Sequence, residues 1–171
     1  MNDDLIYARV VNTVHINGQD VEYEVVSEEI PLPDENGGTD ATLFMTSYLR
    51  LNAEKTGRPI LFAFNGGPGS ASVFLHLGGL GPQIIDLGDG ISAPFDPPFR
   101  MKENAACILD ICDMVFMDPV GCGYSRALTG DAVKKYASSQ EDAKAMLAEE
   151  TDEEMKEMAQ MEVCLLYTSP S

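Results

Sequence analysis

The sequence has no apolar run of the length that a membrane-spanning helix needs, and it contains few basic residues. Only 11 Lys and Arg stand against 28 Asp and Glu, which gives a formal net charge of −17. We therefore expect no binding to nucleic acid or to an anionic membrane surface. The first residues, MNDDLIYARV, lack the basic and apolar segments of a signal peptide, so the chain as written is predicted to be cytoplasmic.

The sequence also lacks the Cys-x-x-Cys spacing that is typical of zinc sites and redox motifs. Its four cysteines are at positions 107, 112, 122 and 164, and neither of its two histidines lies near a cysteine cluster. We expect no metal site and no organic cofactor. The cysteines are predicted to be mostly buried thiols in a reducing compartment.

What is present fits a single soluble domain of 171 residues, of which 44% are hydrophobic. The segments 6–16 and 21–30 are rich in β-branched residues and flank Asn17-Gly18, which predicts a β-hairpin. Residues 31–40 are rich in turn-forming residues and predict a loop. Residues 42–51 predict a third strand, although a short helix is an alternative.

Two short apolar runs, at 60–64 and 113–118, are typical of buried strands, and each is followed by glycine and proline. Residues 78–100 contain many Gly and Pro residues and predict an irregular surface segment. From Asp131 onward the sequence is acidic and has a helical pattern.

The first of these buried strands leads into the glycine-rich segment Asn65-Gly-Gly-Pro-Gly-Ser-Ala-Ser72. Such a loop exposes backbone N–H groups, which either bind a phosphate or stabilise an oxyanion during acyl transfer. A phosphate loop needs a lysine directly after the glycines, and none follows here. The loop therefore favours an oxyanion site, and the alternative is a tight turn that is rich in glycine.

Residues 65–72 resemble the signature loop of the serine carboxypeptidases, the peptidase S10 family, in the form that bacterial members have. The segment 75–82 is similar to the family's next segment, and Asp113-Met-Val-Phe-Met-Asp-Pro-Val-Gly-Cys-Gly-Tyr-Ser-Arg126 is similar to its second signature. The resemblance covers most of residues 5–145. It implies the α/β class and the α/β-hydrolase fold, with only the N-terminal part of the central sheet present.

The resemblance also implies roles for individual residues. In the family, the glycine that corresponds to Gly67 donates its amide to the oxyanion hole. The family's asparagine and first glycine, here Asn65 and Gly66, help to bind the substrate's terminal carboxylate. Residues 118–125 are expected to shape the neighbouring loop, and Asp118 itself is predicted to cap that loop.

The sequence departs from the family pattern in two ways. Gly79 stands where many members have a glutamate that shares a hydrogen bond with the substrate carboxylate. The nucleophile motif Gly-x-Ser-x-Gly is absent, and Ser125 belongs to the second signature, so it is not expected to be the nucleophile. His15 and His76 lie too early in the chain for the order Ser, then acid, then His. No triad is present.

These observations predict that residues 1–162 are the N-terminal part of a serine-type carboxypeptidase, and that residues 163–171 are a tail foreign to it. The complete enzyme would hydrolyse the last peptide bond of a peptide or protein through an acyl-enzyme, and this chain alone is expected to be inactive. One alternative is an esterase or acyltransferase on the same scaffold. The other is a non-catalytic binding protein.

Overall fold

The computed structural model describes residues 6–34, 36–65, 70–88, 98–136 and 164–168. Its strands are β1 (Ile6–Ile16), β2 (Gln19–Pro33), β3 (Thr39–Arg50), β4 (Ile60–Asn65), β5 (Gln83–Ile85), β6 (Met101–Glu103), β7 (Asp113–Met117), β8 (Arg126–Ala127) and β9 (Cys164–Thr168). The helical segments are α1 (Val73–Leu75), a π-helical segment (His76–Leu80) and α2 (Gly130–Lys135).

The main sheet is mixed, with the strand order β1-β2-β3-β7-β4-β9 and with β8 paired beside β3. The pairs β1–β2, β2–β3 and β3–β7 are antiparallel, whereas β4 is parallel to both β7 and β9. β5 and β6 form a separate antiparallel pair. β4 and β7 are therefore parallel neighbours within the sheet, and their carboxyl ends lie side by side.

The prediction of the α/β class, with the α/β-hydrolase fold, is wrong. The described residues are mostly strand, and the helical segments among them contain only three, five and six residues. A helical layer needs crossover helices of about a dozen residues between parallel strands. Where β4 leads to β7, the described residues instead form short helical turns and the β5–β6 pair. None of the described helices is long and apolar enough to cross a bilayer.

The predictions of the first strands are confirmed, whereas the loop predicted at 31–40 is shorter, because residues 31–33 belong to β2 and residues 39–40 to β3. β1 and β2 form the predicted hairpin, and both turn residues have positive φ, 50° at Asn17 and 79° at Gly18. This conformation belongs to the two-residue turn that suits the twist of paired strands. Residues 42–51 lie almost wholly in β3, so the prediction of a strand is confirmed and the alternative of a short helix is wrong. The irregular segment predicted at 78–100 is partly wrong, because residues 78–80 belong to the π-helical segment and residues 83–85 form β5. Residues 89–97 of that segment lie outside the described residues.

Two predictions concern the C-terminal part of the chain. α2 begins where a helix is expected, and residues 137–163 lie outside the described residues. Residues 164–168 form β9, which pairs with β4. The foreign origin of residues 163–171 stays a prediction.

Buried side chains cover both faces of the central strands. On one face, a cluster joins the hairpin and the centre of the sheet to the loop before β7; it includes Val14, Ile16, Tyr23, Tyr48, Leu61, Leu109, Met114 and Phe116. On the other face, a second cluster includes Leu32, Leu43, Phe64, Met117, Ala132 and Tyr136. Every residue of β7 is buried, as its unbroken apolar run predicts.

The cysteines whose side chains are described agree with the prediction of buried thiols. Cys107, Cys112 and Cys122 are each less than one tenth exposed. Burial raises the pKa of Cys112 to about 11, so its thiol stays protonated at neutral pH. These thiols belong to the packing of the sheet and of the loops beside it.

A buried ion pair fixes the start of β7. Asp113 Oδ1 accepts hydrogen bonds from Arg58 Nε at 2.8 Å and from the Arg50 amide at 2.9 Å. The Arg58 guanidinium also donates to the carbonyl oxygen of Leu109 at 2.6 Å. Both charged side chains are only about one tenth exposed, at 9% and 12%. The connection before β4 is thereby tied to the loop before β7.

We expect Arg58→Met to lower the free energy of unfolding by about 3–5 kcal/mol, because it leaves the buried Asp113 carboxylate without its cation. Arg9→Met is the matched control: Arg9 pairs with Glu24 at 3.9 Å on the surface, and its loss is expected to change stability by less than about 0.5 kcal/mol. Urea unfolding measures the free energy of unfolding of both variants. Equal effects of the two substitutions would contradict the structural role of the buried pair.

Candidate functional site

The candidate site lies where the loops after β4 and β7 meet. The first loop contains Gly66 and Gly67, which lie outside the described residues, so their predicted roles stay predictions. Its two ends, Asn65 and residues 70–72, are described. The second loop, residues 118–125, is described throughout.

Asn65 closes the glycine-rich loop at its base. The residue is buried at the end of β4, and its Nδ2 donates a hydrogen bond to the carbonyl oxygen of Ala71 at 2.8 Å. This bond joins the residue that enters the loop to one that leaves it. Asn65 therefore has a structural role here, in addition to the carboxylate contact that the resemblance implies.

Asp118 joins the two loops. Its Oδ1 accepts hydrogen bonds from the Ser72 amide at 2.8 Å and from Ser72 Oγ at 3.0 Å. Its Oδ2 accepts one from the Tyr124 amide at 3.1 Å. The carboxyl is almost fully buried, so these three donors replace water around a group that is costly to bury. Asp118 caps its own loop as predicted, and it also holds the end of the glycine-rich loop.

The glycines of the second loop have a steric reason. Gly123 has φ of +49°, and a Cβ built there would lie 1.8 Å from Asp118 Oδ2. Gly121 has φ of +87°, which also favours glycine. The loop can wrap around the carboxylate only because a side chain is missing at position 123.

Ser125 has no exposed surface, and its hydroxyl is engaged on both sides. Its Oγ donates to the Asp118 carbonyl oxygen at 2.6 Å and accepts from the Phe44 amide at 2.8 Å. A nucleophilic serine needs an accessible hydroxyl next to a general base. The structural role predicted for Ser125 agrees with this geometry.

His76 lies beside the same loops but inside the sheet packing. Its Nε2 is 2.5 Å from the Tyr48 hydroxyl oxygen, and its ring stacks on Phe116 with a centroid distance of 4.5 Å. Burial lowers the pKa of His76 to about 4, although the negative charge of Asp118 acts in the opposite direction. Burial also raises the pKa of Tyr48 above its ordinary value. At neutral pH this pair is uncharged.

The segment that carries Gly79 is held by a residue that the sequence analysis did not identify. Asn104 Nδ2 donates to the carbonyl oxygens of Gly79 at 2.7 Å and Gly81 at 2.9 Å. A Cβ at Gly79 would meet no atom within 4 Å, so the position has space for a side chain. No pattern in the sequence around Asn104 indicates a partner 25 residues away.

We expect Asp118→Ala to lower the free energy of unfolding by about 3 kcal/mol, because it leaves buried donors of Ser72 and Tyr124 without an acceptor. Ser72→Ala removes one hydroxyl donor and keeps the amide bond to Asp118, so its expected cost is about 1 kcal/mol. Chemical denaturation of both variants checks the difference. If Asp118→Ala is no worse than Ser72→Ala, the carboxylate does not tie the loops together.

His76 predicts a pH dependence of stability. Its pKa is about 4 in the folded chain and 6.5 in the reference state, so the folded state binds fewer protons between these values. The stabilisation is fully present above pH 6.5 and is lost as the pH falls from 6.5 to 4, by up to about 3 kcal/mol. His76→Gln should remove this part of the slope. Parallel pH profiles of the two proteins in thermal unfolding would argue against it.

No protein-family model matches the chain, and none of the curated proteins matches it. A function is therefore inferred from the two sequence segments, 65–72 and 113–126, and from the contacts between them.

Proposed function

We propose that this chain contributes the oxyanion-binding half of a serine-type carboxypeptidase, which hydrolyses C-terminal peptide bonds through an acyl-enzyme. The observation that carries the proposal is the pair of hydrogen bonds from Ser72 to the Asp118 carboxylate. Ser72 ends the first segment that resembles the family, and Asp118 lies in the second. Two segments that resemble one family in sequence are thus in direct contact in space, as parts of one site would be.

In this proposal, the glycine-rich loop provides backbone amides for the negative charge that develops on the carbonyl oxygen. Gly67 donates the amide to the oxyanion, and Asn65 and Gly66 bind the terminal carboxylate of the substrate. Oxyanion stabilisation requires donors that are positioned before the reaction begins. The bond from Asn65 to Ala71 and the bonds from Ser72 to Asp118 support this part of the proposal, because they hold both ends of the loop in place.

The nucleophile, its histidine and its acid are assigned to polypeptide beyond this chain, since no Gly-x-Ser-x-Gly motif occurs in it. Ser125 is buried and His76 is bonded to Tyr48, so neither substitutes for them. The 171-residue chain alone is expected to hydrolyse nothing and to give no serine adduct with a fluorophosphonate.

A second candidate, an esterase or acyltransferase, is favoured by one observation. Gly79 stands where a glutamate would contact the substrate carboxylate, and the space around it is open. Without that glutamate, recognition of a free C-terminus depends on Asn65 and Gly66. The two candidates differ in their substrates, because the oxyanion chemistry is the same in both.

The experiment uses the longer protein that this proposal implies, in which the chain is joined to the polypeptide that carries the nucleophile, its histidine and its acid. Gly67→Pro removes the amide donor and should reduce turnover about 10²–10³-fold on peptides and on acyl esters alike. Gly67→Ala is the matched control, since it keeps the N–H. Asn65→Ala should reduce activity mainly on peptides with a free carboxylate and spare amidated peptides and esters. Thermal unfolding of each variant confirms that it is folded.

Two results would contradict the proposal. One is a folded Gly67→Pro protein with near-normal turnover. The other is a full-length protein that cleaves neither peptides nor esters. A wild-type protein that prefers acyl esters and is indifferent to Asn65→Ala would instead support the esterase or acyltransferase candidate.

A further inference from the structure

Three aromatic rings from three separate segments lie in a continuous row beside the candidate site. Tyr7 belongs to β1, Phe44 to β3 and Tyr124 to the loop after β7. The ring centroids of Tyr7 and Phe44 are 6.0 Å apart, and those of Phe44 and Tyr124 are 5.0 Å apart. Tyr7 is 67% exposed and Tyr124 is 71% exposed, so both rings are open to solvent. These three residues are called the aromatic row below.

Backbone hydrogen bonds hold two of these residues in place. The Phe44 amide donates to Ser125 Oγ at 2.8 Å, and the Phe44 carbonyl oxygen accepts from the Asp118 amide at 3.0 Å. The Tyr124 amide donates to Asp118 Oδ2 at 3.1 Å. The backbone that carries the exposed Tyr124 ring is therefore anchored to buried groups, which positions the ring before any ligand arrives.

A carboxylate lies next to the aromatic row. Glu29 of β2 is directly opposite Phe44 in the β2–β3 register, so the two side chains are neighbours on the same face. The Tyr7 hydroxyl donates a hydrogen bond to Glu29 Oε2. The hydroxyls of Thr42 and Tyr7, together with the charge of Arg126, lower the pKa of the Glu29 carboxyl. The row therefore has a negative charge beside it at neutral pH.

The described part of the chain supplies no cation to this carboxylate or to these rings. The ion pairs among the described residues do not include Glu29. The Arg126 guanidinium instead donates to two carbonyl oxygens of its own loop, at 2.7 and 2.8 Å. The described cation that lies over an aromatic ring is Lys135, over Tyr136. Both Glu29 and the aromatic row can therefore accept a cation from outside.

The chemistry of this surface favours a guanidinium group. A cation within about 6 Å of a ring centroid is attracted to the face of the ring, and the spacing of the row lets one cation contact two rings. A guanidinium is planar, stacks on aromatic faces and also pairs with carboxylates. The net charge of −17 attracts basic ligands and repels acidic ones, including a second copy of this chain. An ionised carboxylate at the row disfavours a purely apolar ligand.

We propose that the aromatic row and Glu29 bind an arginine side chain of a peptide. The guanidinium plane lies against the rings of Phe44 and Tyr124, and its N–H groups donate to the Glu29 carboxylate. Acceptor capacity remains for this, because a carboxylate has about four lone-pair sites and the Tyr7 hydroxyl occupies one of them. The inference uses no residue to which the proposed function assigns a chemical role, and it does not depend on that function.

Titration of the 171-residue chain with short peptides, followed by NMR of the tyrosine and phenylalanine rings, tests the proposal. The probe is a tripeptide of glycine, arginine and glycine that is acetylated at one end and amidated at the other. The matched ligand has citrulline in place of arginine, which keeps the planar group and removes its charge. The arginine peptide should bind about tenfold or more tightly than the citrulline peptide, since it gains contacts with two rings and one carboxylate.

Substitutions then locate the bound arginine. Glu29→Gln and Tyr124→Leu should each weaken binding of the arginine peptide about threefold or more. Glu22→Gln is the matched control for charge, because Glu22 is an exposed acid of the same strand, and Phe99→Leu is the control for an exposed ring outside the row. Both controls should bind as the wild type does, and thermal unfolding confirms the fold of every variant.

Three results would overturn the proposal. The first is equal binding of the arginine and citrulline peptides. The second is an equal loss of affinity in Glu22→Gln and Glu29→Gln, which would indicate a general attraction to an acidic protein. The third is a folded Tyr124→Leu variant that keeps the wild-type affinity.

Discussion

The carboxylate of Asp118 is the constraint on which the rest of the site depends. One buried negative group accepts bonds from Ser72 in the loop after β4 and from Tyr124 in the loop after β7. A buried carboxylate without donors would be strongly unfavourable, so both loops must keep their backbone amides directed at it. The lack of a side chain at Gly123 follows from the same requirement.

The parts of the fold that sequence predicts are those that neighbouring residues determine. Asn17-Gly18 predicts the hairpin because both residues tolerate positive φ, and the apolar run of β7 predicts a strand buried on both faces. The fold class was mistaken because it was inferred from two short motifs at strand ends. Such motifs describe loops, and they carry no information on whether the connecting chain forms long helices or the β5–β6 pair.

In the candidate site too, the sequence predicts contacts between neighbouring residues and does not predict contacts between distant ones. The predicted role of Asp118 in capping its own loop concerns residues that are close in sequence, since Tyr124 is six positions away. The sequence does not indicate that Ser72 is a partner of Asp118, or that Asn104 holds Gly79 and Gly81, since these contacts join residues 46, 25 and 23 positions apart. Only the pairing of β4 with β7 brings the first of these partners together.

The bond between Ser72 and Asp118 also has a consequence for the order of folding. Ser72 and Asp118 lie 46 positions apart, and the entropy of closing that loop opposes the contact until parallel pairing of β4 and β7 compensates it. Contacts between distant residues form slowly in strand-rich chains. The hairpin of β1 and β2 needs only local contacts and can form early. The bond between Ser72 and Asp118 is therefore expected to form after the sheet around it, and in a nascent chain it cannot form before Asp118 has been synthesised.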